Sequence, residues 1–421
     1  MNAPLTETLR SSKHSDNHTA AAANAMPASW ARYLGDIDGG MIRLRGIVNA
    51  ELGRLHDSGD GLHCTITLHN DNLFKQVLQQ GSLGAAESYI RGDWDVDDLV
   101  TLIRILCRNR LRLDRLDRHP LARISQALLR LWYAGRRNDK AGSQRNIADH
   151  YDLSNDFFKL FLDQNLMYSS AVFEHPGQTL EDASNHKLAL ICGKLKLNSH
   201  DHVLEIGSGW GGFAIYAALH YGCKVTTITI SKAQHAEACR RVAEAGLEHR
   251  VQVLLQDYRD LEGQYDKLVS IEMIEAVGHQ YLDQYFRICR HLLKPGGLGL
   301  IQAITIEDTR YAHAIRDVDF IKRYIFPGSF IPCNSLMITS AASQGLKLMH
   351  LQDIGQSYAL TLREWRRRFL AALPDVARLG FDQRFVRMWD FYLCYCEGGF
   401  MEGVISDVHL LFEASMPARP A

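Results

Sequence analysis

The chain has 421 residues, 46% hydrophobic and 23% charged, with a formal net charge of −1. That length allows two domains, and the near-neutral balance argues against a nucleic-acid partner. No run approaches the ~20 consecutive apolar residues that a membrane-spanning helix needs.

The first 30 residues, with His14 and His18, read as a solvated, disordered tail rather than a signal peptide, because their Lys and Arg precede no apolar stretch. Without a secretory signal the nine cysteines are expected to be reduced. The lack of any CxxC pair argues against a structural zinc at Cys394 and Cys396.

Residues 31–130 read as a small α+β domain. "MIRLRGIV" and "LHCTITLH" alternate as strands, with Cys64, Ile66 and Leu68 on one face. "DNLFKQVLQQ", "LGAAESYIRG" and "DVDDLVTLIRILCR" read as helices, the last opened by acids that suit a helix N-terminus. Between Arg104 and Arg145 stand 12 Lys+Arg against 3 Asp+Glu. Such a segment is either a solvated connector or a face for anionic phospholipid, where each basic residue contributes roughly 1 kcal/mol. "LARISQALLRLWYAG" is apolar enough to lie in a membrane interface. Residues 131–148, with Arg136 and Arg137, are the expected linker.

Residues 149–421 alternate helix and strand. "TLEDASNHKLALICGKLKL" opens with Thr179 and Asp182 in capping-box spacing. "HVLEIG", "KVTTITI", "VQVLLQD", "KLVSIEM" and "GLGLIQAITI" read as strands. The helices between them include "SKAQHAEACRRVAEAG", with Ser231 as N-cap and Gly246 at its end. Two late strands, "LKLMHLQDIG" and "SDVHLLFEA", bracket helical residues 360–400, which carry "YLCYCEGGF". The pattern predicts an α/β fold with a mostly parallel, doubly wound sheet.

"VLEIGSGWGGF" places Gly207, Gly209 and Gly211 between a strand and a helix, where the backbone can approach a nucleotide-like ligand. A dinucleotide site expects an acid about 20 residues on, yet the second strand ends "TITISKAQ" with none. Glu205, two residues before the first glycine, completes E-x-G-x-G-x-G. That form resembles the S-adenosylmethionine motif of class I methyltransferases, in which Asp257 would sit by the adenine amino group. A tight strand–helix turn without a ligand is the plain alternative.

Six stretches together resemble one family, the cyclopropane fatty acid synthases: "HYDLSNDFFKLFLDQNLMYSSAVFE", "VLEIGSGWGGFA", "LLQDYRDL", "SIEMIEAVGH", "FIKRYIFPGSFIP" and "YLCYCEGGF". They run in family order through nearly all of residues 148–414, and "SIEMIEAVGH", "MYSSAVF" and "IQAITI" are closer to the plant-type branch. "GAAESYIRGDWDVDDL" is similar to the extra domain of the phospholipid-acting bacterial members. The resemblance implies a class I S-adenosylmethionine-dependent methyltransferase, a Rossmann-like doubly wound sheet preceded by a small α+β domain. The implied reaction is methylene transfer to the cis double bond of an unsaturated phospholipid acyl chain. It passes through a carbocation whose proton goes to bound bicarbonate.

By the same resemblance the bicarbonate pocket falls on Glu275, Tyr358, the Ile304 backbone, Ser170 and Gln302. The last two stand where the enteric branch carries Cys and His. Cys396 falls on a late acyl-pocket cysteine, and the cofactor clasp falls on Tyr168, Ser169, Thr229, Gln234 and Tyr258. Peripheral contact with the inner face of the membrane from the cytoplasm, and a homodimer, are implied as well. Three alternatives stay open. A methylene- or methyl-branched product shares the first step. A lipid- or S-adenosylmethionine-binding protein would lack catalysis. A small-molecule methyltransferase would leave the N-terminal domain without a purpose.

Overall fold

The computed structural model describes residues 37–55, 60–113, 125–129, 133, 138, 142 and 154–416. The expected tail, most of the expected linker and the Arg136–Arg137 pair lie outside these residues.

The N-terminal sheet has the order β2-β1-β3-β4, from β1 (Gly40–Gly46), β2 (Ala50–Arg54), β3 (His63–Leu68) and β4 (Trp94–Val96). Cys64, Ile66 and Leu68 are buried on one face of β3, as their alternation predicts. The two helices expected after it are both present within α1 (Asn72–Arg91), divided by a kink at Gly81 with φ 61° and ψ −139°. Only glycine adopts that backbone readily, so the break reads in sequence as a gap between two helices. Helix α2 (Leu99–Arg108) starts at Asp98, whose carboxylate accepts from the Thr101 N–H at 3.0 Å.

The second sheet has the order β10-β11-β9-β8-β5-β6-β7. Its strands are β5 (His202–Ile206), β6 (Lys224–Thr229), β7 (Val251–Leu255), β8 (Tyr265–Ile271), β9 (Leu293–Ile306), β10 (Leu346–Asp353) and β11 (Ile405–Ala414). Strands β5 to β9 are mutually parallel, and β11 runs antiparallel between β9 and β10. Helices α3 (Leu180–Leu195), α4 (Gly212–Tyr221), α5 (Lys232–Glu244), α6 (Leu282–Leu292) and α7 (Asn334–Ser343) accompany the sheet. Two of the starts are capped as expected: Thr179 Oγ1 accepts from Asp182 N at 3.1 Å and Ser231 Oγ from Gln234 N at 3.3 Å. From β5 the chain builds outward through β6 and β7, then crosses to β8 and β9 on the other side. The crevice therefore opens at the carboxyl ends of β5 and β8, the switch point where such sheets bind ligands.

Helices α8 (Gly355–Ala371) and α9 (Gln383–Met401) pack on each other beside this crevice. Their buried faces enclose an aromatic core in which Trp389 meets Phe157 and Tyr392 at 5.0 and 5.1 Å between ring centroids. Offset and edge contacts of this kind add about 0.5–1.5 kcal/mol per pair beyond area burial. The N-terminal domain docks on α9. Glu402, just past the helix, accepts from Arg104 at 2.7 Å and Arg108 at 2.8 Å, and the Arg387 guanidinium lies 4.0 Å from the Tyr89 ring centre.

Cys394 and Cys396 lie on α9, two positions and so about 200° apart around the helix. Cys394 is fully buried near Asp390, whereas Cys396 is partly buried against the aromatic core. At Gly398 α2 comes close to the α9 backbone: a Cβ there would lie 2.7 Å from Ile103 Cγ2. Gly398→Ala is expected to destabilise the fold by roughly 1–3 kcal/mol through overpacking, read as a lower midpoint in urea unfolding. An unchanged midpoint would mean that the two domains adjust freely.

Candidate active site

The strand tips at the crevice are built largely from backbone. Gly207, Gly209 and Gly211 have φ of 98°, 47° and 85°, the left-handed region that other residues avoid. The Gly207 and Ser208 N–H groups donate to Ile228 O at 3.1 and 2.8 Å, tying the loop to the neighbouring strand. Above Gly209 a Cβ would meet nothing within 4 Å, so the loop leaves open space for a ligand. Gly212 is the opposite case: a Cβ there would lie 2.5 Å from Asn165 O and 2.6 Å from Met167 Sδ. The segment 163–171 is thereby pressed against the glycine loop. Arg241 locks the two together, donating to Asn165 O at 2.9 Å and Trp210 O at 2.8 Å.

Beneath the loop Glu205 is buried and accepts from Thr227 Oγ1 at 2.5 Å. Desolvation pushes its carboxyl up to about 8, so it is protonated at neutral pH. At the β6 tip Thr229 Oγ1 donates to Gln234 Oε1 at 3.0 Å, which brings these two predicted residues together. Both oxygens of Asp257 accept from Arg259, at 2.7 and 2.8 Å. The expected adenine partner thus already holds a guanidinium, and the Tyr258 ring lies 5.4 Å from it.

The opposite wall of the crevice centres on Glu272, at the tip of β8. Its Oε1 accepts from Ser170 N at 2.8 Å and Gln302 Nε2 at 2.7 Å, and its Oε2 accepts from Tyr358 Oη–H at 2.7 Å. Glu272 has φ 46°, in the left-handed region, a conformation that costs a non-glycine residue on the order of 1 kcal/mol. The Gln302 amide also donates to Asp407 Oδ2 at 2.8 Å and accepts from His409 Nε2 at 3.2 Å. His409 Nδ1 in turn accepts from Lys194 Nζ at 2.8 Å. Lys187, buried on α3, donates to Ser169 Oγ at 2.6 Å and supplies positive charge below this group.

Burial raises both the Glu272 and the Asp407 carboxyls; the Glu272 charge and a hydrogen bond with Glu272 raise Asp407 further, whereas the same bond lowers Glu272, so the proton the pair shares rests on Asp407. Three residues on, Glu275 Oε1 accepts from Ile304 N at 2.6 Å. Its Oε2 is buried with no hydrogen-bond partner among the described residues. Burial, then the Glu272 charge, push Glu275 up to about 8. Tyr358 sits one turn into α8, its ring stacked on Phe400 at 4.4 Å. Tyr168 packs on Trp365 at 5.4 Å and shares a 3.0 Å hydrogen bond with Tyr392.

The family model of mycolic acid cyclopropane synthetase matches residues 138–410. The chain belongs to the cyclopropane synthase family. It is 38% identical over 343 residues to tuberculostearic acid methyltransferase UfaA1 of Mycobacterium tuberculosis, covering 80% of this chain and 79% of that one. It is 37% identical to the cyclopropane-fatty-acyl-phospholipid synthase of Escherichia coli K12, covering 80% and 84%. The crystal structure of mycolic acid cyclopropane synthase CmaA1 complexed with SAH and CTAB superposes with a TM-score of 0.60 at 30% identity, over 64% of this chain and 98% of the other. The second sheet and its helices are therefore the class I methyltransferase fold expected from the strand pattern, and the chain is an enzyme of that class.

Within this synthase fold the residues implied for an anion pocket do gather in one place, but around a side chain of the protein. Ser170, Gln302 and Tyr358 all donate to Glu272, and Ile304 N donates to Glu275. A bicarbonate ion would have to displace Glu272 from three hydrogen bonds and settle beside two carboxyls, so these residues fit it poorly. The cofactor loop fits better: there is open space above Gly209, Thr229 and Gln234 are joined at the β6 tip, and no acid stands at that tip.

Four residues escaped the sequence reading: Glu272, Asp407, His409 and Lys187. Glu272 carried the same signal as Glu275, an acid at a strand tip in the crevice. Asp407 and His409 alternate on one face of β11, and Lys187 interrupts an apolar helical stretch.

Gly212→Ala should push the 163–171 segment off the glycine loop and weaken S-adenosylhomocysteine binding about tenfold, a cost of about 1.4 kcal/mol. Titration calorimetry checks this. Equal affinity would mean that the segment does not shape the cofactor site.

Proposed function

We propose that the enzyme transfers a methylene group from S-adenosylmethionine to the cis double bond of an unsaturated acyl chain in a membrane phospholipid, closing a cyclopropane ring. The observation that carries this reading is the convergence of Ser170, Gln302 and Tyr358 on one carboxylate, beside Glu275 and Ile304 and across from the glycine loop. The name of the Escherichia coli relative supports the phospholipid substrate.

Bound S-adenosylmethionine would supply an electrophilic methyl carbon. Gly207, Gly209, Gly211, Thr229, Gln234, Tyr168, Ser169 and Tyr258 would hold it, with Glu205 and Asp257 bracing the loop ends. An alkene is a weak nucleophile, so the chain must fix it in near-attack geometry in a dry cavity. The rings of Tyr168, Tyr358, Trp365 and Phe400 exclude water there, and each can stabilise a nearby cation by roughly 0.5–2 kcal/mol. Burial pushes the Cys396 thiol up, which keeps it protonated and poorly nucleophilic, so it shapes the pocket as a small, polarizable group.

Peripheral membrane contact from the cytoplasmic side is part of the same reading. Among the described residues no helix is long and apolar enough to cross a membrane. Leu111 and Leu128, in the basic segment, are 74% and 62% exposed, which suits an interfacial face. A second reading shares the first step but ends in a methylene- or methyl-branched chain, and the 38% identity to a tuberculostearic acid methyltransferase favours it. The two part at the cation: direct loss of a proton from the new methyl group closes the ring, a 1,2-hydride shift before that loss gives a methylene branch, and a methyl branch further needs a hydride donor to reduce it.

The direct test incubates the protein with S-adenosylmethionine and vesicles of monounsaturated phospholipid, followed by acyl-chain analysis. A chain heavier by one CH₂ with upfield cyclopropyl protons is expected. Vinylic methylene protons would support the second reading, and no heavier chain would sink both. In the same assay Cys396→Ala should keep a slower turnover, whereas a covalent adduct on Cys396 would overturn its pocket-shaping role.

A further inference from the structure

We propose that Glu272 is the general base of this reaction, an anion built into the chain at the place where the resemblance puts a bound bicarbonate. The inference rests on the methylene-transfer reading. Each side chain or backbone donor implied for anion binding on this wall is already directed at a carboxylate. Glu272 takes Ser170 N, Gln302 Nε2 and Tyr358 Oη at 2.7–2.8 Å, and Glu275 takes Ile304 N. A carboxylate presents the same pair of oxygens as bicarbonate, so one set of donors serves either anion.

The backbone supports this assignment. Glu272 holds φ 46°, where glycine would sit without strain, and such departures concentrate at working sites. Glu272 N is anchored by Gln302 O at 2.9 Å, which fixes the strained turn at the strand tip. Of the two carboxylate oxygens, Oε1 accepts from Ser170 N and Gln302 Nε2 and Oε2 from Tyr358 Oη, with Asp407 hydrogen-bonded to the group as well. Oε2 takes fewer of these three donors and is the oxygen assigned to the incoming proton. Glu275 suits the task less well: burial and the Glu272 charge hold it protonated at neutral pH. Burial raises the Glu272 carboxyl too, but the Lys187 charge and the hydrogen bonds from Ser170 and Tyr358 act against that and favour its ionised form.

The step balances without a further reagent. The transferred methyl carbon, already bonded to one former alkene carbon, loses a proton to Glu272 Oε2. The electron pair of that C–H bond forms the second bond to the cationic carbon and closes the ring. Glu272 ends as the neutral carboxylic acid. Because the proton leaves a cation, a carboxylate is a strong enough base if it is placed beside it.

The test uses the full-length protein, S-adenosylmethionine and monounsaturated phospholipid vesicles in buffer stripped of carbon dioxide, with and without millimolar bicarbonate. Wild-type turnover is expected to be the same in both, an arm that needs no variant to fold. Glu272→Gln should lower kcat at least about a hundredfold with S-adenosylhomocysteine affinity unchanged. Glu272→Gly, which removes the carboxylate and relieves the backbone, should be inactive alone and regain turnover when bicarbonate is added. Wild-type turnover that depends on bicarbonate, or a Glu272→Gln enzyme within a few-fold of wild type, would overturn the proposal. A wild-type protein silent in both buffers would overturn the methylene-transfer reading, and the base with it.

Discussion

A carboxylate removed from water stays charged only if donors and positive charge meet it on every side; otherwise it takes up a proton. Burial raises the Glu272 carboxyl, and groups from separate parts of the chain act against it: the 163–171 segment through Ser170 N, β9 through Gln302, and α8 through Tyr358. Lys187 on α3 adds charge from below. None of these elements reaches the site by local chain geometry. The sheet must be complete, β11 must be inserted between β9 and β10, and α8 must be docked before the group closes. The antiparallel insertion of β11 matters in particular, because its register sets Asp407 opposite Ile304 and His409 opposite Gln302.

The network and the aromatic wall share residues. Tyr358 donates its hydroxyl to Glu272 while its ring stacks on Phe400 of α9. Ser357 and Thr361, on the same helix, accept from Phe173 N and Ala171 N at 3.1 and 3.0 Å. Helix α8 therefore positions the anionic side of the site, the apolar wall and the segment that closes over the cofactor loop. In the proposed reaction, a cavity that must be dry for a carbocation and charged at one point for its proton would use this division between a ring and its hydroxyl.

On the far side, α9 carries the load of the N-terminal domain. Gly398 and Gly399 follow Cys396 and Glu397 within one turn, and the missing side chain at Gly398 lets Ile103 of α2 approach the helix backbone. The cysteine pair divides accordingly. Cys394 is packed inside with Asp390, whereas Cys396 lies against the aromatic core. What reads in sequence as a two-cysteine motif is one fully buried thiol and one partly buried against the aromatic core, separated by the helical twist.

Much of the fold was legible because its signals are local. The glycine spacing of 207–212, the caps at Thr179 and Ser231, and the helix–strand alternation depend on residues within a few positions of one another. The break in α1 was legible for the same reason, since Gly81 itself marks the point where the helix is interrupted. Ser170, Gln302 and Tyr358 could be named from the resemblance but not joined: they lie 102, 30 and 86 residues from Glu272. Glu272 itself looks like an ordinary acid after a strand, and Lys187 like a solvated lysine on a helix. By itself the sequence determined the sheet, the cofactor loop and the family. The tertiary structure alone decided which carboxylate the site is built around, because desolvation and hydrogen-bond donors from distant segments act on a side chain only once the chain has brought them together.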